Sequence, residues 1–150
     1  MDILLDTHLL LWALEDSEYL PESVKTIIND EKTNLYYSTV SMWEVAIKHK
    51  KGKLKISGTE LFHYCEQAGF KELVLNEKHI IALETIEKIE ETPPHNDPFD
   101  KILLAQAKGD GMLLLTHDKC FSYYDEPYYR IVYKKEYYGN YSKYLLQRQR

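Results

Sequence analysis

Along the chain, apolar residues alternate between two habits. They form short unbroken runs, and between the runs they return every three or four positions. The runs lie at residues 2–6 (DILLD), 35–38 (LYYS), 71–75 (KELVL), 112–116 (MLLLT) and 130–133 (RIVY). Four or five consecutive apolar residues bounded by turn-forming positions predict a strand buried on both faces. The intervening stretches predict helices. HLLLWAL follows the first run, and PESVKTIINDE (21–31) opens on Pro21. Ser41 starts a helix that closes near Gly52, TELFHYCEQA (59–68) stops at Gly69, and EKHIIALETIEKI (77–89) carries an apolar stripe at Ile80, Ile81, Leu83 and Ile86. The loop ETPPHN breaks the chain before a helix that starts near Asp97 and runs to about Lys108, ahead of GDG. Strands alternating with helices predict an α/β fold in one domain: a mostly parallel sheet of about five strands, covered by helices on both faces.

That pattern changes the meaning of certain acids. In HNDPFDKILLAQA (95–107), Asp97 before Pro98 reads as a helix N-cap with proline at the first helical position. Asp100 reads as a first-turn acid facing the positive end of the helix dipole. Asp6 ends the first strand with Thr7 beside it, Glu44 lies in the first turn of the helix after the second strand, and Asp118 comes just after MLLLT. Ligand sites of parallel sheets lie beyond the carboxyl ends of the strands, at the switch point. The Asp100 helix is expected to reach that edge only if the loop around Pro93 and Pro94 carries it there. Each acid also has a local explanation. Ser41 and Glu44 have capping-box spacing, Glu44 can pair with Lys48 four residues on, and Asp118 suits a turn.

Four carboxylates converging on one rim cannot all stay ionised unless a positive charge cancels them. A divalent cation does so directly. Oxygen donors without a Cys or His cluster suit Mg²⁺ or Mn²⁺, and such ions support phosphodiester hydrolysis. His8, His95 and His117 flank the acids and read as polar neighbours of a charged site. Lys48, His49, Lys50, Lys51 and Lys53 follow Glu44 and Lys101 follows Asp100; a solvated helix end is the ordinary reading, and Lys48 and Lys101 are candidate contacts to a phosphate backbone. Trp12 and Trp43 read as core or interface, not as base-stacking platforms.

Composition adds limits. With 44% hydrophobic and 29% charged residues, the 150-residue chain has an ordinary globular balance. No segment approaches the roughly 18 apolar residues that span a bilayer, and the N-terminus lacks the basic lead of a signal peptide. Cys65 and Cys120 match no zinc or redox spacing and read as packing residues of a reducing, cytoplasmic compartment. The net charge of −5 is uneven: residues 134–150 hold five Lys/Arg against one Glu, leaving −9 for residues 1–133. Nine of the 13 tyrosines fall between Tyr123 and Tyr144. The chain therefore divides into a body, 1–133, and a basic, Tyr-rich extension, 134–150.

The runs LLDTHLLLWAL, STVSMWEVAIKHKKGKL and HNDPFDKILLAQA…LLLTHDKCFSYY closely resemble the PIN domain, and within it the VapC-type toxin ribonucleases of toxin–antitoxin pairs. The resemblance covers residues 2–133. It implies a small α/β/α sandwich whose acids bind Mg²⁺ or Mn²⁺ and cut single-stranded RNA. By position, it implies that Asp6 and Asp100 are the principal ligands, Glu44 the third acid and Asp118 the fourth. Thr116 matches the polar residue that orients the site. Asp97 is common in the motif as well. A homodimer and a cognate antitoxin are further implications. Two other readings compete. One is a PIN-like scaffold that binds RNA or protein without cutting. The other is a receiver-like phosphoacceptor domain, which would need an Asp where this chain has KKGKLKISGT.

Overall fold

The computed structural model describes residues 1–132, so the extension 134–150 and the last residue of the fifth expected strand, Tyr133, lie outside the described residues. The elements run β1 (Asp2–Leu5), α1 (Thr7–Leu14), α2 (Glu22–Asn29), β2 (Asn34–Ser38), α3 (Thr39–Lys50), α4 (Gly58–Gln67), β3 (Lys71–Leu73), α5 (Glu77–Glu84), α6 (Pro98–Asp110), β4 (Leu113–Thr116), a 3-10 turn (Lys119–Tyr123) and β5 (Tyr129–Ile131). The strands form one sheet in the order β3-β2-β1-β4-β5. Every pairing is parallel. From β1 the chain builds outward through β2 and β3, then returns to the other side of β1 as β4 and β5. The switch point therefore lies between β1 and β4.

The apolar runs supply both faces at once because side chains alternate along a strand. Ile3 and Leu5 of β1 join Leu115 of β4 in one core with Leu9, Leu10, Val24, Val45 and Leu61. Leu4 and Leu114 point the other way, into a second core with Leu103, Leu104 and Phe121. Two cores flanking one sheet are the expected α/β/α sandwich.

Helix α6 shows why the site end is well defined. Asp97 caps it, accepting from the backbone N–H of Phe99 at 2.9 Å and of Asp100 at 3.3 Å, and Pro98 occupies the first turn. Gly111 ends it in the left-handed region (φ 66), where a side chain would be strained, and turns the chain into β4. Because α6 runs antiparallel to β4, its first turn stands at the carboxyl edge of the sheet. The crossover itself sets that position. Helix α5 packs along α6, with Lys78 and His79 paired to Asp110 at the far end.

Three local expectations are corrected. Helix α3 begins at Thr39 with Ser38 as its cap, accepting from Val40 N–H at 2.9 Å, so Ser41 and Glu44 form no capping box. Ser41 is buried one turn inside the helix. Helix α5 is shorter than the expected 77–89, and its buried residue is His79, not the stripe: Ile80 and Ile81 are exposed, while Leu83 and Ile86 pack on the second core. Trp43 is 57% exposed and meets Phe99 edge-on at 5.0 Å, so it is no core residue. Trp12 does pack against the first core, and Cys65 is buried there.

Candidate metal centre

Asp6 leaves β1 at the switch point, held by its own N–H on the Leu115 carbonyl at 2.9 Å. Asp6 is 3% exposed, yet both its carboxylate oxygens are occupied. Oδ1 caps α1 by accepting from Leu9 N–H at 2.8 Å. Oδ2 accepts from Thr116 Oγ1 at 2.5 Å and from His117 N–H at 3.3 Å, so β4 fixes the carboxylate of β1. The Thr116 hydroxyl also accepts from Asp118 N–H at 3.0 Å, so one threonine positions two acids.

Asp118 caps the 3-10 turn, its Oδ1 accepting from Cys120 N–H at 2.8 Å. Asp100 comes from the first turn of α6, and its carboxyl lies within hydrogen-bonding contact of Asp118. Burial, then the negative charges of Asp97 and Asp118, push the Asp100 carboxyl up to about 8; Asp6 adds to the effect. Burial alone would raise Asp118 as well. The Cys120 N–H and the shared contact with Asp100 outweigh it and hold Asp118 below its ordinary value. The two neighbouring acids are thus shifted in opposite directions, Asp100 up and Asp118 down. His95, expected only as a neighbour, is buried with Nε2 3.1 Å from Asp100 Oδ2 and Nδ1 2.9 Å from the Tyr124 hydroxyl.

Glu44 approaches from α3 and is 5% exposed. Its Oε1 lies 2.7 Å from Thr7 Oγ1, and Thr7 lies 2.9 Å from Ser41 Oγ. A hydroxyl has one proton, so Thr7 gives it to the carboxylate and accepts from the serine. The expected pair forms at the other oxygen, with Lys48 Nζ at 2.6 Å from Oε2. His8 links this side to the rest: its ring feels the charges of both Asp6 and Glu44, while burial, the largest influence, keeps its pKa below the ordinary value. His8, Trp12 and His117 form a row of rings beside Asp6, with centroids 4.8 and 4.9 Å apart. Lys101 lines a cleft with Leu83, Ile86, Lys88 and Tyr124.

The structure therefore brings Asp6, Asp100 and Asp118 into mutual electrostatic contact and sets Glu44 behind Thr7. The ion pairs made by Asp6 and Asp100 are to histidines, His117 at 3.7 Å and His95 at 3.1 Å. A buried acid that keeps its proton near neutrality against two anionic neighbours is a position a hard cation would relieve, and the carboxylate oxygens fit Mg²⁺ or Mn²⁺. Sequence reasoning undervalued His95 and Cys120. His95 sits in a proline-rich loop without periodicity, and only the folded chain brings it to Asp118; Cys120 is two residues from Asp118, but a lone cysteine with no second Cys or His at zinc spacing gives no signal.

A model of the PIN domain family matches residues 3–127. The fold superposes with a TM-score of 0.64 on a chain of the crystal structure of VapBC2 from Rickettsia felis bound to a DNA fragment from their promoter. That likeness covers 88% of this chain and 99% of the other, at 13% identity, and is one of fold. No curated protein matches the chain.

Proposed function

This chain belongs to the PIN domain family, and from that membership we propose that it is a metal-dependent endoribonuclease, the toxin of a toxin–antitoxin pair. The observation that carries the reading is the contact between the Asp100 and Asp118 carboxyls within the field of Asp6. Acids that serve only structure are kept apart or paired with Lys or Arg, whereas these converge on one another with histidines as their only charged partners among the described residues. Asp6, Asp100, Glu44 and Asp118 would hold one or two Mg²⁺ or Mn²⁺ ions, which when bound activate water and neutralise charge on the scissile phosphate.

The surrounding residues act as positioning groups. Thr116 locks the Asp6 and Asp118 geometry, Thr7 orients Glu44, and His95 holds the Asp100 carboxyl. Asp97 acts through the α6 cap. Lys48 neutralises Glu44 in the metal-free protein; once a cation takes over that role, its ammonium is released to a phosphate of the RNA, with Lys101 as a second such contact. The partially exposed rings of Trp43 and Phe99 lie next in sequence to Glu44 and Asp100, where an unpaired base could stack. We assign the activity to residues 1–133, in a cytoplasmic homodimer silenced by its antitoxin. The described residues include no helix long and apolar enough to cross a membrane.

The test is cleavage of total bacterial RNA by antitoxin-free protein with Mg²⁺ or Mn²⁺, with EDTA, and with Asp100→Asn. Discrete fragments that vanish with EDTA and in the variant are expected. No cleavage by the metal-replete protein overturns the reading in favour of a non-cutting RNA- or protein-binding scaffold.

A further inference from the structure

The acid cluster has a flank that a hard cation does not explain. A ring nitrogen of His95, a carboxylate oxygen of Asp118 and the Cys120 sulfur all lie within 4.8 Å of one another. Nitrogen, sulfur and oxygen donors at that mutual distance form the donor set of a tetrahedral borderline-soft ion. Mg²⁺ takes oxygen and has no use for the imidazole or the thiol. The histidine is also prepared as zinc ligands usually are. A ligating ring has its second nitrogen held by a protein group, and here the Tyr124 hydroxyl holds Nδ1 at 2.9 Å, while Nε2 lies on the acid side, 3.1 Å from Asp100 Oδ2, a contact that a bound ion would replace. His95 itself is buried and Cys120 half-buried, so the site has a fixed wall and an open approach.

We propose that His95, Asp118 and Cys120 form a Zn²⁺ site on the flank of the acid cluster, with Asp100 or water as the fourth ligand. Zinc bound there removes Asp118 from the hard-cation site, which makes Zn²⁺ an antagonist of Mg²⁺. That consequence rests on the nuclease reading; the binding itself does not.

The experiment is titration of the full chain with Co²⁺ as a spectroscopic substitute for zinc, under a non-thiol reductant. A sulfur-to-cobalt charge-transfer band in the near ultraviolet is expected, which stoichiometric Zn²⁺ bleaches and millimolar Mg²⁺ does not. Cys120→Ser abolishes the band and Cys65→Ser retains it. Tyr124→Phe weakens cobalt binding by about tenfold through the loosened ring. Absence of the band, or its survival in Cys120→Ser, overturns the proposal. RNA cleavage by the same samples separates the two claims. A band without cleavage leaves the zinc site standing and removes the nuclease. Cleavage without a band does the reverse. Where both occur, Zn²⁺ inhibits the wild type in excess Mg²⁺ and spares Cys120→Ser.

Discussion

Asp100 and Asp110 stand ten residues apart on the same helix, and the protein treats them in opposite ways. At the far end of α6, Asp110 meets the Lys78 ammonium and the buried His79 ring. Burial would raise its pKa, but the hydrogen bonds from Lys78 and His79 prevail and hold it below the ordinary value. At the near end, burial and the charges of Asp97 and Asp118 push Asp100 up to about 8. One acid is structural and satisfied by its own chain. The other sits among like charges, with a histidine ring as its only oppositely charged partner among the described residues. The contrast distinguishes a clasp between two helices from a candidate site, although both acids look alike in sequence.

The sharpest way to break this contrast is activity. Asp100→Asn is expected to lower single-turnover RNA cleavage by at least about 100-fold, the usual scale for loss of a group acting on the reacting centre. Asp110→Asn should stay within about twofold. Equal losses in both would erase the distinction.

The next effect is on stability. Asp100's folded pKa lies above its unfolded value of 3.8, so the unfolded chain loses its proton first as pH rises. Stability of the metal-free protein therefore falls between about pH 4 and 8 from this group. Asp100→Asn should remove that decline and stabilise the metal-free protein at pH 8 by about 1–3 kcal/mol, read by thermal or urea unfolding. Mg²⁺ should stabilise the wild type more at pH 8 than at pH 6, because binding must displace the proton.

Asp110→Ala should do the opposite, costing about 1–3 kcal/mol at neutral pH because a buried histidine loses its partner. Its folded pKa is depressed, so the stability it gives is present above 3.8 and is lost as pH falls through the lowered value. The gap between Asp110→Ala and wild type should close in acid. The smallest effect belongs to Lys48→Met. Its partly exposed pair with Glu44 is worth less than about 1 kcal/mol. An RNA contact would instead appear as a severalfold higher KM at low salt and a salt slope reduced by about one.

How much of this was legible in sequence follows from how local each signal is. The β1 and β4 runs, the Asp97–Pro98 start of α6 and its Gly111 stop depend on neighbours in the chain, and the structure has them where the pattern predicts. The α3 cap was misplaced because Ser38 and Ser41 offer equivalent hydroxyls, and only the end of β2 decides between them. The α5 stripe misled because periodicity cannot say which partner a helix meets. Here the partner is Gly109, which leaves room for His79 and turns Ile80 and Ile81 outward. The acids were found because each follows a strand or opens a helix. Their grouping, and the arrival of His95 beside Asp118 and Cys120, depend on tertiary contacts that no spacing encodes.

The bond from Thr116 to Asp6 spans 110 residues of chain. Asp6 is therefore synthesised well before the α6 acids, Thr116 and Asp118. Until those residues emerge it has no second strand to fix its carboxylate and no neighbouring carboxyls. The acid cluster cannot form ahead of the sheet: it is completed only when β4 docks beside β1.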